Sequence, residues 1–180
     1  MVGELPDVAR AGRSGFARAG DAVALAGPFR PSLPGSELAK LRGDELPVGL
    51  AAIDVAAVRA AQEAIRDAVA AGALSSAHDI AEGGLVVAVT ESCLAGGIGA
   101  TLDVGPGDDL FSTLFGESPG SGFVVSGPAE TLRALGERVA VEILGTVGGD
   151  ALAVTCGGEQ IEVSLDELRT THSALAPLFP

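Results

Sequence analysis

A chain of 180 residues can bury one sizeable core, and with 47% apolar and 19% charged residues it is expected to fold, as a single domain over 1–180. Eleven Lys and Arg against 24 Asp and Glu leave a net charge of −13. With Trp and Tyr both absent there is neither a basic track for phosphates nor a platform for stacked bases, which excludes nucleic acid as a partner.

No apolar run reaches the roughly 18 residues that cross a bilayer. The first residues also lack the basic-then-apolar layout of a signal peptide, so no membrane partner and a cytoplasmic location are expected. Residues 1–20 show no clear period, and residues 21–27 (DAVALAG) then read as a short buried strand. After a Pro/Gly stretch over 28–35, Ser36 can cap a short helix reaching residue 41, with Glu37 in its first turn. Residues 54–71 form the clearest helix, with Val55, Val58, Ile65 and Val69 on one face, Asp54 at the cap and Gly72 at the stop.

Residues 74–80 look extended, and Glu82-Gly83-Gly84 turns the chain into a second helix over 85–95 that is apolar nearly all round and so buried. A strand is predicted over 98–104, a helix over 108–115 capped by Asp108, and a strand over 123–126. Pro128 opens a helix over 129–139. Three strands follow over 141–147, 151–155 and 160–165, the first running into a Gly148-Gly149 hairpin turn, and a helix over 166–175 closes the order. Strands and helices interleave without a strict βαβ rhythm, so the expected class is α+β, helices packed on a mixed and largely antiparallel sheet.

Two cysteines 63 positions apart, Cys93 and Cys156, match no metal or redox spacing and read as reduced, buried thiols. With His78 and His172 the only histidines, a His-rich metal centre cannot be built. The surplus carboxylates could recruit Mg²⁺ together with a phosphorylated ligand, at a place the sequence does not localise.

The most informative stretch is Ser75 to Leu85 (SSAHDIAEGGL), in which a strand ends in His78 and Asp79 and two glycines stand at a helix entrance. Free backbone N–H groups there can receive an anion such as phosphate, which makes His78, Asp79, Glu82, Gly83 and Gly84 candidates for a phosphate or nucleotide site. The alternative is structural: the glycines allow the turn and close packing, Asp79 or Glu82 caps the helix, and His78 is held by hydrogen bonds. In a second stretch, Leu114 to Phe123, Glu117 and Ser118 sit in a glycine-rich turn where they could hold a ligand's hydroxyl or amide, or simply form a surface turn. Nucleophile elbows, zinc-protease motifs, paired cysteines and a Walker loop are all missing, and no catalytic residue or protein metal ligand is assigned.

In this order the segments resemble the C-terminal domain of phosphoribosylformylglycinamidine synthase, in the aminoimidazole ribonucleotide synthetase superfamily. The resemblance rests on Gly3-Glu4-Leu5-Pro6-Asp7-Val8, Gly15-Phe16 with Gly20-Asp21, Gly35-Ser36-Glu37, and above all Ser76-Ala77-His78-Asp79-Ile80-Ala81-Glu82-Gly83-Gly84-Leu85. Leu114-Phe115-Gly116-Glu117-Ser118, Leu144 to Gly149 and the tail over 165–179 continue it. It implies an α+β domain of partly ferredoxin-like topology, the last of four domains in a parent that uses ATP and Mg²⁺ to phosphorylate the amide oxygen of formylglycinamide ribonucleotide before ammonia displaces the phosphate. Implied partners are the parent's N-terminal ATP-binding domains and a glutaminase subunit or domain. The domain alone is expected to be silent and to hold no cofactor tightly.

The resemblance also makes Glu117-Ser118-Pro119 the counterpart of a substrate-contacting turn in the family's first C-terminal-type domain. Gly120-Ser121-Gly122 stands where a basic residue is expected, which removes a charge that a phosphate would use. Two other readings remain open: a free-standing nucleotide- or partner-binding module, and a domain of another superfamily enzyme such as selenophosphate synthetase, thiamin-monophosphate kinase or a hydrogenase-maturation protein.

Overall fold

Short runs of small and β-branched apolar residues, broken by glycines, build the strands that organise this chain. A computed structural model describes residues 7–49, 52–105, 109–118 and 120–174. Outside that range lie Gly3 to Pro6 of the N-terminal motif, Asp108, Pro119 and the end of the tail. Among the described residues there are seven strands: β1 (Ala22–Ala26), β2 (Ser76–Asp79), β3 (Ala100–Asp103), β4 (Phe123–Gly127), β5 (Val141–Val147), β6 (Ala151–Cys156) and β7 (Glu159–Ser164). They form one sheet in the order β2-β4-β1-β5-β3-β6-β7. Every neighbouring pair is antiparallel except β3 with β6.

Alternation along β1 and β4 sends side chains to two separate cores. Val23 and Val124 join Ile80, Val89 and Cys93 on one face, under α3 (Gly84–Gly96), α4 (Leu110–Phe115) and α6 (Leu165–Ser173). Ala24 and Val125 face the other way, against Ile65 of α2 (Val55–Ala70) and Leu132 and Leu135 of α5 (Ala129–Leu135). Because β1 presents only Ala22, Ala24 and Ala26 on that second face, the larger side chains of α2 and α5 can approach the sheet closely. A fully buried side chain such as Ile80 or Leu132 contributes roughly 1.5–3 kcal/mol by leaving water.

Local chemistry sets most of the helix ends. Ser36 Oγ accepts the Ala39 N–H at 3.2 Å to start α1 (Glu37–Arg42), and Asp54 Oδ1 accepts the Ala57 N–H at 3.0 Å to start α2. Gly72, at φ +67°, follows α2 in the left-handed conformation that ends many helices.

Several expectations need correction. The turn at Gly148-Gly149 is not a hairpin, because β3 is inserted between β5 and β6. Gly148 N–H donates to Gly99 O at 2.8 Å and Gly99 N–H to Gly149 O at 2.9 Å, so these glycines lead the chain past β3. The cap of α4 is Asp109, whose Oδ2 accepts the Ser112 N–H at 2.8 Å. α5 stops at Leu135, short of residue 139, and α6 starts one residue early because Ser164 Oγ accepts the Glu167 N–H at 3.2 Å. The buried stripe of α2 is Ala61, Ala64 and Ile65, while Val55 is exposed in the overhanging first turn. The strands expected over 74–80 and 98–104 are cut to β2 and β3.

Both cysteines are free and buried in the first core, and burial pushes the Cys93 thiol up to about 12. No helix among the described residues is long and apolar enough to cross a membrane.

Candidate functional site

The two segments singled out in the sequence meet in space. Gly83 and Gly84, at φ +83° and +74°, make the turn from β2 into α3 in a conformation that only glycine adopts without strain. A Cβ on Gly84 would lie 2.6 Å from Gly116 O and 2.8 Å from the Phe115 carbonyl carbon, so the segment before Glu117 packs directly on this turn. Glu117 is fixed by a small antiparallel bridge, its N–H donating to Ser32 O at 3.0 Å and its carbonyl accepting the Ser32 N–H at 3.1 Å.

From that position Glu117 Oε1 accepts two backbone N–H groups at 2.8 Å, one from Gly83 and one from Glu37. A single carboxylate oxygen therefore serves the starts of both α1 and α3, where unpaired amides and aligned peptide dipoles favour negative charge. The amide of Gly83, expected to be free for a ligand phosphate, is engaged by a carboxylate of the chain itself. Neither Asp79 nor Glu82 caps α3, whose N-cap Gly83 carries no side chain to do so. Both are exposed.

His78 is held apart from this junction. Its Nδ1 lies 2.7 Å from Asp79 O, and its Nε2 lies 3.4 Å from Glu91 Oε2 on α3. That geometry ties β2 to α3 and fits the hydrogen-bonded alternative.

Ser118 shares a 2.6 Å hydrogen bond with Ser121 Oγ, and Ser121 Oγ also donates to Ser118 O at 2.7 Å. Its own Oγ accepts the Arg30 N–H at 3.4 Å. Gly122 permits this turn: a Cβ there would lie 2.6 Å from the Phe29 ring. Glu117, Ser118 and Ser121 line a cavity of about 570 Å³ together with Arg30, Ser36 and Asp54, closed on its apolar side by Pro47, Ile53 and Val58. Its size suits a small organic ligand. Glu117 Oε2 makes no hydrogen bond with the described residues, and Arg30 makes no ion pair among them.

Outside the cavity, Lys40 pairs with Glu37, which raises the ammonium's pKa first by hydrogen bond and then by charge, with smaller contributions from Glu117 and Glu82. Sequence reading missed Arg30 and Ser121 as site residues. Arg30 lies in the Pro/Gly stretch, whose position beside the Glu117 turn rests on long-range pairing that no local pattern announces. It places a basic side chain at the cavity although none stands at Gly120-Ser121-Gly122.

The sequence pattern of the family described as "AIR synthase related protein, C-terminal domain" matches residues 18–157. The chain belongs to this family. It is 40% identical over 181 aligned positions to the phosphoribosylformylglycinamidine synthase subunit PurL of Nocardioides sp., covering 98% of this chain and 23% of that relative. The subunit of the same name from Thermobifida fusca is 38% identical, with 98% and 24% covered. The chain thus spans about a quarter of the length of these relatives.

Among solved structures, T. maritima PurL complexed with FGAR superposes with a TM-score of 0.75 at 18% identity, over 89% of this chain and 30% of that one. The hydrogenase maturation protein HypE in complex with ATP follows the same fold at a TM-score of 0.57 and 13% identity, over 88% and 54%. These structural matches establish the α+β architecture of the family for this chain.

Among the described residues no three His, Cys, Asp or Glu side chains converge as a metal-binding group.

Proposed function

We propose that this chain is the last C-terminal-type domain of a phosphoribosylformylglycinamidine synthase, and that the cavity beside Glu117 forms one wall of a ligand site completed by the enzyme's ATP-binding domains. The observation that carries the reading is Glu117 itself. One oxygen is anchored by two backbone amides, and Oε2, which has no hydrogen-bond partner among the described residues, can accept a hydrogen bond from a ligand hydroxyl or amide at the cavity. Near-full-length similarity of this chain to synthase subunits supports the assignment.

The reaction of such an enzyme activates the amide oxygen of formylglycinamide ribonucleotide with ATP, after which ammonia displaces the phosphate. ATP and Mg²⁺ supply the phosphoryl group and its charge balance, and in this reading both are held by the N-terminal domains. The domain's own share is orientation. Gly83 and Gly84 let α3 start where Glu117 can reach it, Ser118 and Ser121 stiffen the turn, and Arg30 supplies a cation beside it. His78 ties β2 to α3 away from the cavity, and Asp79 and Glu82 stand exposed outside it. A glutaminase subunit or domain is the proposed source of ammonia.

Exchange in cells tests this reading. This chain replaces the matching quarter of the Nocardioides subunit in a strain lacking its own synthase. Growth without added purine is expected from the exchanged enzyme, and not from this chain expressed alone. Failure of a folded, well-expressed exchanged enzyme to restore growth would count against the assignment.

A further inference from the structure

The opposite end of α2 borders a second cleft with different chemistry. While Asp54, Ala57 and Val58 at the start of α2 face the Glu117 cavity, Val69 and Gly72 at its end line a concavity of about 350 Å³. At 1.5 Å rise per residue the two lie roughly 18 Å apart along the helix. Three of the chain's eleven basic residues, Arg10, Arg13 and Arg18, line this cleft, and among the described residues no Asp or Glu does.

In a chain with a surplus of carboxylates, arginines are expected to find acidic neighbours. Arg13 and Arg18 make no ion pair with any described residue, and Arg10 makes only a loose one, 3.6 Å from Asp7. The backbone that carries them is nonetheless held firmly. Arg13 O accepts the Ala77 N–H of β2 at 2.8 Å, and Gly12 packs so closely on α2 that a Cβ would lie 2.8 Å from Val69 Cγ1. Buried Phe16, whose N–H donates to Ser92 O at 2.9 Å, anchors the stretch between Arg13 and Arg18.

Helix α2 does not itself account for three cations at its C-terminal end. The carbonyls of Asp67, Ala68 and Val69 already accept the N–H groups of Ala71, Ala73 and Gly72. The helix end is satisfied by its own left-handed turn.

We propose that this cleft binds a small organic phosphate. The guanidinium groups of Arg10, Arg13 and Arg18 would hold the phosphate, and Val69 and Leu74 would contact the carbon skeleton. Planar guanidinium forks match phosphate oxygens and form charge-assisted hydrogen bonds, and a volume near 350 Å³ holds a phosphate with a pentose-sized body. The site is separate from the Glu117 cavity and does not depend on the synthase reading.

The test is titration of the ¹⁵N-labelled chain with ribose 5-phosphate, inorganic phosphate and unphosphorylated ribose at constant ionic strength. Saturable amide shifts at Gly12, Arg13 and Ala77 are expected from ribose 5-phosphate, weaker ones from inorganic phosphate and none from ribose. The double variant Arg13→Gln, Arg18→Gln alters two exposed side chains and should keep the wild-type spectrum and melting temperature while weakening ribose 5-phosphate binding at least tenfold. Arg59→Gln and Arg133→Gln should leave it unchanged. The proposal is overturned if no saturable shift occurs, if shifts gather at Glu117 and Ser118 instead, or if the double variant binds as the wild type does. A double variant that melts lower yet binds normally would make the arginines structural and overturn it equally.

Discussion

Glu117 reaches back 34 positions along the chain to accept the Gly83 N–H at 2.8 Å, so the start of α3 is capped from a different segment. The same oxygen holds Glu37 N–H, which makes one side chain the common support of two helices. Glu117→Ala leaves both amides without this partner, and the expected loss is about 2–4 kcal/mol. Glu117→Gln keeps an accepting oxygen without the charge and should lose about 1–2 kcal/mol. Urea melts of both variants measure the difference. Equal stability of wild type and Glu117→Ala would show that the double cap does not hold in solution.

Gly84 and Gly72 share a left-handed backbone but differ in what surrounds them. A Cβ on Gly72 meets nothing within 4 Å, whereas one on Gly84 meets Gly116 O at 2.6 Å. Gly72→Ala should therefore cost about 1–2 kcal/mol from conformation alone. Gly84→Ala should cost clearly more, about 3 kcal/mol or above, because backbone must move as well. Thermal melts that rank the two variants equally, or in reverse, would contradict the packing of Gly116 on this turn.

Asp67 links two arginines, accepting from Arg138 Nη2 at 2.8 Å and Arg66 Nη2 at 3.2 Å. The hydrogen bond from Arg138, and then that from Arg66, holds its carboxyl below the ordinary value of 3.8. Because the folded-state pKa is depressed, the stabilisation is present above the unfolded-state value and is lost as pH falls through the folded one. Asp67→Asn should melt below wild type at neutral pH, with the gap closing as pH drops below 3.8. Added salt should narrow the gap at neutral pH, since the group is exposed. A gap that stays constant as pH falls well below 3.8 would remove Asp67 from the acid response.

Cys93 lies at 0% exposure with its thiol pushed up to about 12 by burial. Cys156 is buried in the same core. Thiol-reactive dye at pH 8 should label neither residue in the folded protein and both once denaturant is added. Fast stoichiometric labelling of the native chain would contradict the placement of α3 against the sheet.

Much of this fold was legible locally. Ser36 and Asp54 announced the starts of α1 and α2, and the apolar runs around Val23 and Val124 announced strands. Pairing was less legible. Consecutive strands usually lie side by side, which made Gly148-Gly149 read as a hairpin, but the insertion of β3 between β5 and β6 depends on contacts about 50 residues apart that leave no local mark. The candidate site divided in the same way. Gly83, Gly84, Glu117 and Ser118 stood out through turn chemistry and family resemblance, while the capping of Gly83 by Glu117 and the arrival of Arg30 at Ser118 are tertiary facts. Asp79 and Glu82 looked like caps because capping partners are usually sequence neighbours, and here the partner is not.

The central claim is that this chain works as a synthetase domain whose Glu117 turn faces a ligand. Its most direct measurement is formylglycinamidine ribonucleotide formation in vitro by the Nocardioides subunit carrying this chain in place of its matching quarter, supplied with formylglycinamide ribonucleotide, ATP, Mg²⁺ and ammonia. The account predicts turnover by the exchanged enzyme, and a drop of at least tenfold in kcat/KM on Arg30→Ala, a substitution at the cavity that leaves the two helix caps intact. A folded exchanged enzyme with no turnover, or one indifferent to Arg30→Ala, would contradict it.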